Sequence, residues 1–106
     1  MKTISAEELK AKLDRGDEFH LVMTMGAWAY EMAHIPGSQN VDNIEYALAN
    51  IDRDEEIIVY CSNILCIASI SAYKLLVANG YTNVRRFAGG VEAWQKAGYP
   101  LEGTSA

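Results

Sequence analysis

The run Ile57-Ile58-Val59-Tyr60 is the strongest constraint on how this chain folds. It is wholly apolar, β-branched and aromatic, and it reads as a buried strand. It ends in Cys61. The segment Cys61-Ser62-Asn63-Ile64-Leu65-Cys66-Ile67-Ala68-Ser69 then runs into a helical pattern from Ile70 to Asn79. A thiol at a strand end, followed by a tight loop and a helix N-terminus, sits where backbone N–H groups and the helix dipole stabilise a thiolate. The thiolate is the reactive form of sulfur. A small apolar residue capping a buried strand is the competing reading of Cys61.

The rest of the chain alternates helix and strand. Ser5 with Glu8 is a capping box that starts a helix through about Leu13, and Gly16 follows as a stop signal. Phe19 to Met23 is a short apolar strand. Ala27 to Ala33 is a brief helical turn ended by His34-Ile35-Pro36-Gly37, and Asn40-Val41 is a short strand. Asp42 is the expected cap of a helix over Asn43 to Asn50, in which Ile44, Ala47 and Leu48 share a face. Ala72, Leu75, Leu76 and Asn79 mark the helix after Cys61, which stops at Gly80. Val84 to Phe87 is a strand, Gly89-Gly90 a turn, and Val91 to Lys96 a last helix. Strands separated by helices predict an open parallel α/β sheet, whose sites lie at the carboxyl ends of the strands. Residues 1–102 are expected to form one domain, and residues 103–106 a frayed tail.

Composition narrows the function. A chain of 106 residues, half of them hydrophobic, suits one core. Its net charge is −5, and Arg85-Arg86 is only a pair, which argues against nucleic acid as a partner. No apolar stretch approaches the roughly 20 residues of a membrane span. Met1 to Glu8 is too polar and acidic for a signal peptide. The expected setting is therefore the reducing cytoplasm, with both cysteines free most of the time. Two cysteines are too few for a structural zinc site, and no metal or cofactor is expected.

The chain resembles the single-domain rhodanese-like proteins over nearly all its length. The residues that carry this are Ile4-Ser5-Ala6-Glu7-Glu8-Leu9, His34-Ile35-Pro36-Gly37, Ile58-Val59-Tyr60-Cys61, Lys74-Leu75-Leu76, Gly80-Tyr81-Thr82-Asn83-Val84, Gly89-Gly90-Val91-Glu92-Ala93-Trp94 and Ala97-Gly98-Tyr99-Pro100. The resemblance implies an open sheet of about five mainly parallel strands with helices on both faces. It also implies that Cys61 accepts sulfane sulfur from a donor, becomes a persulfide, and passes the sulfur to cyanide or another thiol. Other members of the family are non-catalytic modules that bind proteins.

Two departures stand out. Met23 and Met25 occupy the positions where the family's first strand usually ends in Asp-x-Arg. The active loop, Ser62-Asn63-Ile64-Leu65-Cys66-Ile67-Ala68, is longer than the common form and has neither glycine nor cation. In the related arsenate reductase and dual-specificity phosphatase loops an Arg closes the loop; here positions 66 and 67 are Cys and Ile. A thiosulfate dianion needs several N–H donors or cations to replace its hydration. Poor thiosulfate affinity is expected, and Ile64, Leu65 and Ile67 either suit an apolar or protein-borne partner or tuck into the domain.

Cys66 is the second informative residue. If the two Cα atoms lie within about 7 Å, Cys66 can resolve a persulfide or sulfenate on Cys61 as a disulfide. Otherwise Cys66 points into the core. His34 is expected to make a structural hydrogen bond, and Trp28 and Trp94 to pack. Three readings follow: a sulfurtransferase or persulfide carrier using Cys61, with a sulfane-sulfur donor and a thiol acceptor; a Cys61/Cys66 redox module; or a non-catalytic binding module.

Overall fold

The computed structural model describes residues 1–41 and 44–104. Ser5 starts α1 (Ala6–Arg15): its hydroxyl accepts the Glu8 N–H at 3.1 Å, and the Glu8 carboxylate accepts the Ser5 N–H at 3.3 Å. Gly16 ends the helix at φ 74, returning its N–H to the Leu13 carbonyl.

Four strands, β1 (His20–Met23), β2 (Gln39–Asn40), β3 (Ile57–Tyr60) and β4 (Val84–Phe87), form one parallel sheet in the order β2-β1-β3-β4. Thr3 adds a single parallel bridge beside Arg86 at the β4 edge. Every residue of β3 is at most 1% exposed, which is why its sequence carries no polar alternation. Ile58 and Tyr60 join Leu9, Leu21, Met23, Ile35, Phe87 and Trp94 on one face, under α1 and α5 (Gly90–Lys96). Ile57 and Val59 join Val22, Ala47, Leu76, Tyr81 and Val84 on the other, under α3 (Ile44–Asn50) and α4 (Ala68–Ala78). Burying each of these branched side chains contributes roughly 1.5–3 kcal/mol. The Tyr81 hydroxyl lies 2.7 Å from both the Ala47 and Ile51 carbonyls and so ties down the end of α3.

The structure differs from the expectations in local ways. Helix α4 starts at Ala68, two residues before Ile70, so Ala68 belongs to the helix and not to the loop. No side chain caps it, and the sequence therefore carried no start signal there. Trp94 packs as expected and donates its indole N–H to the Pro100 carbonyl at 2.7 Å. Trp28, at the start of α2 (Ala27–Met32), is 75% exposed instead of packed, since the short α2 turns Ala29 and Tyr30 to the core. The start of the expected tail is tied down: Thr104 N–H donates to the Glu31 carbonyl at 3.0 Å. The expected Asp42 cap and the last two residues lie outside the described residues. Among the described residues no helix is long and apolar enough to cross a membrane.

Candidate functional site

Cys61 leaves the carboxyl end of the central strand and is 1% exposed. Its sulfur is bonded to that of Cys66, with the Cα atoms 6.2 Å apart, inside the reach expected of such a pair. The cysteines were expected free most of the time, with Cys66 able to join Cys61 if the Cα atoms came close enough; the fold brings them together in that way. Asn63 makes this turn. Its side-chain oxygen accepts the Leu65 N–H at 2.9 Å, and its carbonyl accepts the Cys66 N–H at 3.1 Å. The loop folds back on itself, and half-buried Cys66 arrives over Cys61.

Two distant elements hold the loop from below. The N-terminus of α5 donates to it: Val91 N–H to the Cys61 carbonyl at 3.0 Å, and Glu92 N–H to the Ser62 carbonyl at 2.9 Å. This approach requires Gly90, whose φ is +61; a Cβ there would lie 2.8 Å from the Ser62 carbonyl carbon and 3.0 Å from the Asn63 nitrogen. The second element is Arg86 on β4, only 6% exposed. Its Nε donates to Ser69 Oγ at 2.8 Å, and one Nη reaches the Ile64 and Cys66 carbonyls at 3.5 Å. In the sequence Arg86 stands out only as half of the Arg85-Arg86 pair, too short for a basic run. The available signal was its two-residue spacing from Val84, which puts both on the inward face of one strand.

These contacts decide what the loop offers a ligand. The Leu65 and Cys66 amides are already paired with Asn63. Among the described residues no non-glycine residue has positive φ, so the loop does not curl its amides into an anion cradle through a left-handed residue. Arg86 supplies a cation beneath the loop, but it is spent on Ser69 and the loop carbonyls. Ser62 and Asn63 are half-buried. The outer surface is apolar: Ile64, Leu65 and Ile67 are 67%, 85% and 73% exposed. The alternative in which they tuck into the domain is excluded.

On the face of the sheet that packs under α1 and α5, Tyr60 closes a hydrogen-bond ring. Ile35 N–H donates to the Tyr60 hydroxyl at 3.0 Å, Tyr60 donates to Ser38 Oγ at 2.7 Å, and Ser38 donates to the Ile35 carbonyl at 2.6 Å. Met23 is buried in the same core cluster as Tyr60, and the Met25 carbonyl accepts the Asn40 side chain; as methionines, neither brings charge to the position. His34 makes the expected structural bond, its Nδ1 lying 2.7 Å from the Tyr30 carbonyl. His20 pairs with Glu55 at 3.1 Å, away from Cys61. Burial pushes the Tyr60 phenol up to about 12. Its neutral form therefore stabilises the fold fully below the ordinary value of 10.0, and that contribution disappears as pH rises towards 12. The loss amounts to roughly 3 kcal/mol. Denaturant unfolding across that interval should show the decline, and Tyr60→Phe should flatten it. An equal decline in Tyr60→Phe would assign it to other groups.

Among the described residues no group of three or more His, Cys, Asp or Glu side chains comes together to hold a metal ion. An apolar cavity of about 250 Å³ opens between α3, α4 and the sheet, walled by Val22, Val59, Ala68 and Leu75 among others, but Cys61 is not among its walls.

The Rhodanese-like domain family matches residues 5–97. The chain is 34% identical over 103 residues to a thiosulfate sulfurtransferase GlpE of Pseudomonas savastanoi, covering 95% of this chain and 92% of that one. It is 31% identical over 101 residues to an HTH-type transcriptional regulator of Mycobacterium tuberculosis, covering 93% of this chain and 44% of the regulator. The crystal structure of BH2092 protein from Bacillus halodurans superposes with a TM-score of 0.89 at 25% identity, over 98% of this chain and 78% of that one.

Proposed function

The chain belongs to the rhodanese-like domain family, and on that premise we propose that it is a sulfurtransferase in which Cys61 carries sulfane sulfur as a persulfide. The observation that carries this reading is the placement of Cys61. It stands at the end of the central parallel strand, with its own carbonyl and that of Ser62 fixed by the α5 amides. In the forward step the Cys61 thiolate attacks the outer sulfur of a donor persulfide. The donor's S–S bond breaks, the donor leaves as a thiolate, and the outer sulfur stays on Cys61. An acceptor thiolate then takes that sulfur, and Cys61 leaves as the thiolate. No cofactor enters either step. The cytoplasm suits the cycle, because its thiols keep the acceptor cysteine reduced.

The donor is read from the loop surface. GlpE is named for thiosulfate, a dianion, whereas this loop offers an outward face of Ile64, Leu65 and Ile67 and keeps its cation buried. A persulfide borne by a protein or small thiol fits that face better. Thiosulfate turnover is expected to be at least about tenfold poorer than turnover of glutathione persulfide, the effect of one missing charge-assisted hydrogen bond. Ile67→Arg should narrow the gap, since that side chain already faces solvent. Thiocyanate formation from each donor with cyanide measures both. Equal rates for the two donors in the unaltered protein would show that the backbone amides alone bind the dianion. No turnover of either donor would favour a non-catalytic binding module.

A further inference from the structure

We propose that Cys66 is the resolving thiol of a sulfide-releasing reaction, and that the Cys61–Cys66 disulfide is its product state. This rests on the reading of Cys61 as the persulfide carrier and adds a fate for the sulfur. Three observations carry it. The Cys61 and Cys66 sulfurs are within bonding reach, with Cα atoms 6.2 Å apart. That approach is built and not incidental: Asn63 turns the loop, the α5 amides hold its Cys61 end, and Arg86 reaches the Cys66 carbonyl at its other end. The two sulfurs also differ in access, for Cys61 is 1% exposed and Cys66 only half-buried.

The chemistry balances without a cofactor. The Cys66 thiolate attacks Sγ of Cys61, the inner sulfur of the persulfide. The bond from Cys61 Sγ to the outer sulfur breaks, and the outer sulfur departs with the electron pair as hydrosulfide, keeping the persulfide proton. The sulfane sulfur is reduced by two electrons, and the two cysteines are oxidised to the disulfide. A dithiol reductant then resets the protein. Its thiolate attacks the Cys66 sulfur, on the more accessible of the two residues, and Cys61 leaves as a thiolate. The reductant's second thiol displaces Cys66 and closes the reductant's own disulfide. The net reaction consumes one sulfane sulfur and one dithiol and yields one sulfide and one disulfide. A reaction that generates protein or small-molecule persulfide must supply the substrate, and a sulfide-consuming or sulfide-exporting reaction must take the product.

The test uses the full chain, reduced, freed of reductant, and held without oxygen. One equivalent of glutathione persulfide is added to the unaltered protein and to Cys66→Ser. Released sulfide, intact mass and the cysteine-bearing peptides are then read. The unaltered protein should release about one sulfide per chain above the donor-only blank, and end two hydrogens lighter with Cys61 and Cys66 joined. Cys66→Ser should lose that release and stay one sulfur heavier at Cys61. If the unaltered protein instead keeps the sulfur on Cys61 without releasing sulfide, the resolving role is overturned while the carrier reading stands. Sulfur found on Cys66 would also overturn it, because Cys66 would then attack the outer sulfur and act as a relay. If neither protein takes up sulfur, the carrier reading fails and this proposal fails with it.

Discussion

Gly90→Ala should destabilise the protein by roughly 3–5 kcal/mol and detach the Cys61 loop from α5. Two effects add. A left-handed residue with a Cβ is strained by itself, at roughly 1–3 kcal/mol. The new Cβ would also sit 2.8 Å from the Ser62 carbonyl carbon, a backbone atom that cannot rotate aside. The Val91–Cys61 and Glu92–Ser62 hydrogen bonds must then stretch or break, at about 1 kcal/mol each. Gly98 provides the comparison: its φ is +81, but nothing lies within 4 Å of a Cβ there. Gly98→Ala should therefore cost only the strain. Urea unfolding of both variants separates the terms. Equal losses in the two would mean that the close approach of α5 to the loop is worth nothing.

Arg86→Met should act more on the reaction than on the fold. Two contributions to stability oppose each other. The charged bond to Ser69 is worth roughly 1.5–3 kcal/mol, and losing it strands the Ser69 hydroxyl. Against that, no ion pair with a carboxylate forms at Arg86 among the described residues, so Met removes a buried, uncompensated charge. The net change should stay within about 2 kcal/mol. The loop, however, loses the donor to its Ile64 and Cys66 carbonyls and the positive charge beneath it. Sulfur loading of Cys61 should slow by about tenfold or more, the equivalent of one charged interaction. Arg86→Lys keeps the charge but not the forked donor, and should fall between the two. Loading by Arg86→Met at the unaltered rate would reduce Arg86 to a packing residue.

The parts of this fold that the sequence made legible are those decided locally. Four consecutive apolar residues from Ile57 to Tyr60 leave only a buried strand as an outcome, and a thiol directly after them must lie at the sheet's carboxyl edge. Ser5 and Glu8 announce α1 because both capping bonds form within one turn. The parts that escaped depend on partners far along the chain. Arg86 turns inward and reaches the loop only through the pairing of β4 with β3, where it lies beside Val59. The grip on Cys61 comes from Val91 and Glu92, which the sequence showed only as the start of a last helix. Helix α4 hid its start because no Ser, Thr, Asp or Asn side chain caps Ala68. The exposure of Ile64, Leu65 and Ile67 was undecidable from residue type, since apolar residues are ordinary on both sides of a protein surface.

Everything proposed for this protein depends on Cys61 being the sulfur acceptor. The most direct measurement is thiocyanate formed from glutathione persulfide and cyanide, above the donor-only blank. It compares Cys66→Ser with the double variant Cys61→Ser, Cys66→Ser, so that no second thiol competes for the bound sulfur. Cys66→Ser should turn over and the double variant should not. Equal turnover by the two, or none by either, would contradict that role of Cys61.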